Sequence, residues 1–92
     1  MEVITKKLTV YGTVQMVGYR WFAKEKADQF KIKGYVKNKS RGEVEIMAQG
    51  PNEDIQVFID HLKQGPSRAR VEKIIQETLI SEKIFQQFSI RM

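Results

Sequence analysis

The nine residues GTVQMVGYR, at positions 12–20, combine two glycines with an arginine and contain no carboxylate, histidine or cysteine. The residues before them alternate between polar and apolar side chains, as in a half-buried strand, and the residues after them repeat apolar side chains at helical spacing. A short loop from a strand into a helix can direct successive backbone N–H groups and the positive end of the helix into one concavity. Arg20, at the end of the loop, would add a planar set of donors. The stretch therefore predicts an anion site.

The composition limits what kind of protein this can be. Ninety-two residues suffice for one small core, and we expect residues 1–92 to form a single domain. The absence of cysteine excludes disulfides and thiol nucleophiles and is compatible with a reducing cytoplasm. No apolar run approaches the ~20 residues of a membrane span, and the start MEVITKK lacks the apolar stretch of a signal peptide. We therefore expect a soluble, cytoplasmic protein with no membrane partner.

Basic residues outnumber acidic ones. The chain has 16 Lys and Arg against 11 Asp and Glu, a formal net charge of +5 at pH 7. This balance favours anionic partners, but it does not distinguish a small phosphate compound from a nucleic acid.

Several segments have the alternating pattern of β-strands. ITKKLTVY, at positions 4–11, places Leu8 and Val10 on one face. Residues 32–37 and 43–49 also alternate, and the NKSRG turn between them predicts a hairpin. A fourth strand is expected at about Val71 to Leu79, with a bulge because its apolar residues do not keep one parity, and a short last strand is expected near Phe88 to Ile90.

Two segments have helical periodicity. The first runs from Trp21 to Phe30, with a polar face formed by Lys24, Glu25, Asp28 and Gln29. The second opens after Gly50 and Pro51 and ends at Gly65 and Pro66; its apolar face consists of Ile55, Phe58, Ile59 and Leu62. The order strand, helix, strand, strand, helix, strand, with a short extra C-terminal strand, predicts an α+β fold. We expect a ferredoxin-like sandwich, in which two helices pack on one face of an antiparallel sheet.

Two stretches of the chain resemble motifs of the acylphosphatases, small enzymes that hydrolyse carboxylic-phosphoric anhydrides. VYGTVQMVGYR, residues 10–20, resembles the family pattern Gly, any residue, Val, Gln, Gly, Val, any residue, Phe or Met, Arg. It departs at Met16, where the family has glycine, and at Tyr19, where it has phenylalanine or methionine. GYVKNKSRGEVEIMAQG, residues 34–50, fits the family's Asn-containing hairpin throughout. Weaker similarities occur in LKQGPSRARV, residues 62–71, and FSIRM, residues 88–92, so the resemblance covers nearly the whole chain.

The resemblance implies hydrolysis of the carboxyl–phosphate bond of an acyl phosphate, with Arg20 and Asn38 as the catalytic residues. Asn38 would orient the attacking water. The phosphate would be bound by Arg20 together with the loop amides, which belong to Gln15, Met16, Val17, Gly18, Tyr19 and Arg20. The leaving carboxylate has a conjugate acid with a pKa of about 4 and needs no general acid at pH 7. Phosphoryl transfer through a loose transition state leaves mainly positioning and charge stabilisation to the protein. In the family the substrate itself is thought to take the proton of the water.

The same resemblance sets expectations about partners. We expect no cofactor and no metal, because no cluster of carboxylates or histidines is placed to hold one near the loop. Inorganic phosphate is the expected product and should also compete with the substrate, because both would occupy one site. We expect no nucleic acid partner, and a monomer, because no heptad pattern argues for assembly. The sequence does not identify the acyl group.

The residues singled out here also have structural interpretations. An arginine at the start of a helix is often solvated, asparagine favours turns, and Gly12 and Gly18 permit unusual backbone angles whether or not they bind an anion. His61 lies at the margin of an apolar helix face, and we expect it to be structural. Trp21 and Phe22 are expected to pack against the protein.

Met16 has two interpretations. Its backbone could carry left-handed strain, which a bound anion would offset, or its side chain could pack over the first helix. We favour the strained loop.

Three other functions share part of this loop or fold pattern. A nucleotide-binding phosphate loop is excluded because five residues, not four, separate Gly12 from Gly18, and Gly18 is followed by Tyr19 and Arg20 where Lys and then Ser or Thr would be needed. An RNA-recognition module is disfavoured because the strand EVEIMAQ, residues 43–49, lacks aromatic residues. A ligand-sensing domain could share this fold. The alternative that remains is a noncatalytic ferredoxin-like module that binds an anion or RNA.

Overall fold

Five strands and two helices make up the protein in a computed structural model that describes residues 2–80 and 83–92. The chain runs through β1 (Val3–Thr13), α1 (Tyr19–Gln29), β2 (Lys33–Asn38), β3 (Val44–Pro51), α2 (Asn52–Gln64), β4 (Arg70–Leu79) and β5 (Phe88–Arg91). Every element expected from the sequence is present in the expected order. The main difference is that α1 begins at Tyr19, two residues before the predicted start.

The strands form one sheet in the order β4-β1-β3-β2-β5. The pairs β1–β4, β1–β3 and β2–β3 are antiparallel, which confirms the ferredoxin-like fold. The sequence predicted an antiparallel sheet. This is wrong for one pair of strands, because β5 pairs with β2 in parallel. The reason is topological. β4 and β5 are the two edge strands, and β4 runs antiparallel to β2. The C-terminal end of β4 therefore lies level with the N-terminal end of β2, and a strand that starts at that level on the opposite edge runs in the same direction as β2.

The hydrophobic core lies between one face of the sheet and the two helices. Helix α1 packs mainly on β2 and β5, and α2 packs on β3 and β4. The apolar faces expected from the sequence are buried there; they include Leu8, Val10, Val36, Val44, Ile46 and Ala48 of the strands, Ala23 and Ala27 of α1, and Ile55, Phe58, Ile59 and Leu62 of α2. One sheet face therefore carries both helices, as predicted.

The predicted bulge occurs in β4, opposite the end of β1. Tyr11 pairs with Lys73 and the next residue, Gly12, pairs with Val71, which leaves Glu72 without a partner on β1. Gly12 has a φ of 132°, and a Cβ atom there would overlap the backbone carbonyl of Arg70. Gly12 is therefore required by the close approach of two strands at the point where β1 leads into the loop.

The face of the sheet away from the helices is partly covered by the connection between β4 and β5. Gln49 donates from Nε2 to the carbonyl oxygen of Lys83 (2.8 Å), and its Oε1 accepts from the backbone N–H of Phe85 (2.9 Å). The Phe85 ring lies against Tyr35, with 6.1 Å between ring centroids. Within the described residues, no helix is long and apolar enough to cross a membrane.

Candidate active site

The loop between β1 and α1 contains two residues in the left-handed region. Met16 has a φ of 64°, and Gly18, which precedes the first turn of α1, has φ 79° and ψ 16°. A Cβ atom at Gly18 would meet no atom within 4 Å, so glycine is required there by its backbone angle and not by crowding. Left-handed residues in a short loop turn successive N–H groups toward one side, the arrangement that binds anions.

The backbone N–H groups of this loop have no acceptors among the described residues. Across the ranges 2–80 and 83–92, no hydrogen bond is donated by the backbone N–H of residues 15–20. Four of the N–H groups at any helix start lack an intrahelical partner, and a ligand can supply the acceptor. The loop therefore offers donors that an anion could use.

A small cavity of about 170 Å³ adjoins the loop. It is lined by Val14, Met16, Gly18, Tyr19, Arg20, Trp21 and Asn38. The structure thus brings together Arg20, from the first turn of α1, and Asn38, the last residue of β2, although 18 positions separate them in the sequence. Of the predicted loop residues, Gln15 and Val17 do not line this cavity.

Arg20 is held at one side by the C-terminal strand. Its Nη1 donates to the carbonyl oxygen of Arg91 (3.4 Å) and lies 3.8 Å from the Sδ of Met92. In the part of the chain that the structure describes, no carboxylate forms an ion pair with Arg20. Its positive charge is therefore not neutralised by the protein and remains available to an anion in the cavity.

Asn38 has an unsatisfied acceptor. Its Oδ1 is buried, and no described residue donates a hydrogen bond to it. A buried polar atom without a partner costs about 1–3 kcal/mol, so such atoms are rare unless a ligand or water completes them. Because Asn38 lines the same cavity as Arg20, this acceptor is available to a small polar molecule there.

Gln15 fixes the loop to the hairpin. Its Nε2 donates to the carbonyl oxygens of Lys39 (2.7 Å) and Glu43 (3.0 Å), the two residues that close the turn between β2 and β3. The resemblance implies that the backbone amide of Gln15 binds the phosphate; its side chain joins two protein segments. This connection holds the loop beside Asn38, which precedes Lys39.

The side chains of Tyr19 and Val17 belong to the core. Tyr19 is 1% exposed, its hydroxyl donates to the carbonyl oxygen of Leu62 (2.7 Å), and burial raises the pKa of that hydroxyl well above its ordinary value. Val17 packs against the core from the loop. Only the backbone of these two residues can therefore contact a ligand in the cavity.

Met16 and Trp21 are exposed beside the cavity. Met16 is 93% exposed, so the interpretation in which it packs over the first helix is wrong, and its φ agrees with the strained loop. Trp21 is 72% exposed, so its predicted packing role is also wrong. The sequence contained a signal for this: Trp21 precedes Lys24, Glu25 and Asp28 by three, four and seven residues, which places it on the polar face of α1.

Other ionisable residues have different surroundings. His61 lies against Phe30, with 5.1 Å between ring centroids, in agreement with a structural role. Among the residues placed by the structure, no group of three or more His, Cys, Asp or Glu side chains is arranged to hold a metal ion. The polar groups that surround the cavity are thus an arginine, the acceptor oxygen of an asparagine and backbone N–H groups, which suit a phosphate and a water molecule.

Known proteins resemble this chain over almost its whole length. The family model described as acylphosphatase matches residues 6–90. An acylphosphatase of Actinobacillus succinogenes is 38% identical over 87 residues, which cover 95% of this chain and 97% of that protein. An acylphosphatase of Thermus thermophilus is 51% identical over 65 residues, 71% of this chain and 74% of that protein. The crystal structure of acylphosphatase from Bacillus subtilis matches with a TM-score of 0.94 at 36% identity, over 97% of this chain and 99% of that chain. The chain belongs to the acylphosphatase family, hydrolases that act on acyl phosphates.

Proposed function

We propose that the backbone N–H groups of residues 15–20 and the guanidinium of Arg20 bind the phosphoryl group of an acyl phosphate, and that Asn38 orients the water that attacks it. The observation that carries the proposal is the unpaired, buried Oδ1 of Asn38 in a cavity that Arg20 also lines. A water that donates one hydrogen to this oxygen can direct a lone pair toward phosphorus. The unpaired loop N–H groups support the phosphate position, because each gains an acceptor from the ligand.

The reaction needs few groups from the protein. The water oxygen bonds to phosphorus while the bond between phosphorus and the bridging oxygen breaks, and the electron pair leaves on the carboxylate. The carboxylate is stable at pH 7, so it departs without a proton. The proton of the water passes to a phosphoryl oxygen of the substrate. Arg20 and the loop N–H groups stabilise the charge that the equatorial oxygens carry in the transition state.

Six further properties form part of the proposal. The enzyme acts without a metal or cofactor, as a monomer, and its product phosphate is a competitive inhibitor because both ligands use the same N–H groups. Residues 1–92 form one catalytic domain that works in the cytoplasm and has no nucleic acid partner.

A substrate panel tests the proposed function. The purified protein, dialysed against a chelator, should release phosphate from acetyl phosphate and benzoyl phosphate, and should leave a phosphomonoester such as phenyl phosphate intact. Inorganic phosphate should raise KM and leave kcat unchanged. Hydrolysis that returns only when metal is added would contradict the metal-free mechanism. RNA binding without turnover would favour the noncatalytic alternative.

A further inference from the structure

Two exposed apolar side chains lie beside the cavity of Arg20 and Asn38. Met16, from the loop, is 93% exposed and Trp21, from α1, is 72% exposed, and both line the cavity. Single exposed apolar residues are ordinary on protein surfaces, but two at the mouth of one cationic cavity together form an apolar surface. We call Met16 and Trp21 the apolar rim. A ligand whose anionic end lies at Arg20 would meet this rim with its other end.

A second hollow continues from the rim along the surface of α1. It has a volume of about 490 Å³ and is lined by Trp21, Phe22, Lys24, Glu25, Asp28 and Pro66. We call it the α1 groove. Trp21 lines both hollows, so the groove and the cavity adjoin at this residue. A group too large for the cavity can therefore extend past Trp21 into the groove.

The charges of the α1 groove are unsuited to a second anion. The ammonium group of Lys24 is already held by a carboxylate oxygen of Asp28 (2.8 Å) and the carbonyl oxygen of Phe88 (3.0 Å). Glu25 adds a further negative charge to the lining. The surfaces left for contact are those of Trp21, Phe22 and Pro66, which are apolar. The groove therefore suits an uncharged, apolar group.

We propose that the apolar rim and the α1 groove form a subsite for the acyl group, and that this enzyme favours acyl phosphates whose acyl group is apolar, such as an aromatic ring. This inference rests on the proposed position of the phosphoryl group at residues 15–20. The acyl group is attached to phosphorus through a single bridging oxygen, so it must leave the small cavity at its rim. An indole and a thioether both form favourable contacts with an aromatic ring.

Kinetics of four proteins test the subsite. The quantity measured is the ratio of kcat/KM for benzoyl phosphate to kcat/KM for acetyl phosphate. Trp21→Ala should lower this ratio about tenfold, because the benzoyl ring loses its largest apolar contact. Trp21→Phe should restore most of it. Val57→Ala, which shortens an exposed apolar side chain on α2, is the matched control and should leave the ratio unchanged.

The outcomes separate the subsite from the reaction. If the parent hydrolyses both substrates and Trp21→Ala lowers both rates equally, the acyl subsite is wrong and the acylphosphatase function stands. If the parent hydrolyses neither, the proposed function fails and the subsite fails with it. Circular dichroism of each variant shows whether the fold is intact, and the tryptophan emission of the parent protein gives the answer if the alanine variant is unfolded.

Fluorescence gives a second measurement that does not depend on turnover. Trp21 is the only tryptophan in the chain, so tryptophan emission, excited at a wavelength that tyrosine does not absorb, reports on the surroundings of Trp21. Phenylphosphonate, which carries a ring and cannot be hydrolysed as an acyl phosphate, should shift the emission to shorter wavelength more than inorganic phosphate does. Arg20→Ala should remove this shift at the same ligand concentration. Equal spectra with the two ligands, or a shift unaffected by Arg20→Ala, would overturn the proposal.

Discussion

Arg20 contacts the phosphoryl group before and during reaction in the proposed mechanism, so it contributes to both binding and turnover. We expect Arg20→Ala to lower kcat/KM by ~10³ or more and to weaken inhibition by inorganic phosphate. Arg20→Lys keeps the charge and loses the planar pair of donors, and should fall between the parent and the alanine variant. Steady-state kinetics with phosphate as inhibitor provide the measurement. An alanine variant that bound phosphate as tightly as the parent would contradict this role.

Asn38 contacts water and not the phosphoryl group in the same mechanism, so its loss should lower kcat and leave phosphate binding unchanged. We expect Asn38→Ala to lower kcat by ~10² to 10³, as is typical when one preorganised polar group is removed. The inhibition constant of phosphate should stay close to that of the parent. Removing the unpaired buried Oδ1 also predicts a small gain in Tm, because that atom has no partner when the site is empty. Full turnover in a folded Asn38→Ala protein would exclude the water-orienting role.

Met16 occupies a backbone conformation that suits glycine, the residue that the family pattern has there. Its φ of 64° costs a non-glycine residue about 1–2 kcal/mol, and glycine recovers this at the expense of unfolded-state entropy. We expect Met16→Gly to raise Tm by roughly 2–4 °C and to tighten phosphate binding. Met16→Ala removes the same exposed side chain but keeps the strain, so it should give neither gain. A lower Tm in Met16→Gly would exclude the strained-loop interpretation.

The sequence predicted which residues meet at the cavity better than it predicted what their side chains do. The positions of Arg20 and Asn38 were predictable because each lies in a sequence motif at the end of a secondary-structure element. Arg20 is in the first turn of α1, and Asn38 is the last residue of β2. The contacts of the Tyr19 and Gln15 side chains were not predictable, because a side chain at a loop end can point to a ligand, to the core or to a neighbouring turn. That choice depends on tertiary contacts with Leu62 and with the β2–β3 turn, which no local pattern encodes.

The loop and the β2–β3 hairpin act as one unit because Gln15 joins them. Its Nε2 donates to two hairpin carbonyl oxygens, that of Lys39, which directly follows Asn38, and that of Glu43 across the turn. We expect Gln15→Met, which keeps the length and removes the donor, to lower kcat about tenfold with little change in phosphate affinity, since the water and the phosphate lose their alignment. Gln15→Ala should behave like Gln15→Met. If Gln15→Met kept full kcat, Gln15 would be a space-filling residue.

The strand and helix boundaries were predictable where local chemistry decides them. The Gly65–Pro66 end of α2 and the β4 bulge follow from residue types and broken parity, and both are present. The parallel pairing of β5 was not predictable, because a four-residue strand has too little pattern to specify a partner. Its position depends on the whole sheet, in which Gly34 and Val36 of β2 are left to pair with Phe88 and Ile90.

The two faces of the sheet carry different features. The site lies with the helices, whereas the opposite face carries a buried carboxylate, Glu45, that accepts from the Tyr35 hydroxyl (2.8 Å). The ammonium groups of Lys39, Lys37 and Lys7 lie 3.5, 3.7 and 3.9 Å from it. Burial opposes ionisation of this carboxyl, but the hydrogen bond and the three ammonium groups outweigh it and hold its pKa below the ordinary value. Burial, together with the bond to Glu45, raises the pKa of Tyr35 to about 12.

This cluster predicts how the stability of the whole protein depends on pH. Because the pKa of Glu45 is lower in the folded chain than in the unfolded chain, its contribution is complete above the ordinary value of 4.5 and disappears as the pH falls through the lowered pKa. At pH 7 we expect Glu45→Gln to cost about 2 kcal/mol, roughly 10 °C in Tm, since a hydrogen-bonded charge is lost. Thermal unfolding at pH 7 and pH 3 should show this difference shrinking at the lower pH. Glu77→Gln, at an exposed position on the edge strand β4, is the matched control and should change Tm little at either pH. A difference between the parent and Glu45→Gln that stayed constant from pH 7 to pH 3 would show that the charge of Glu45 does not stabilise the fold.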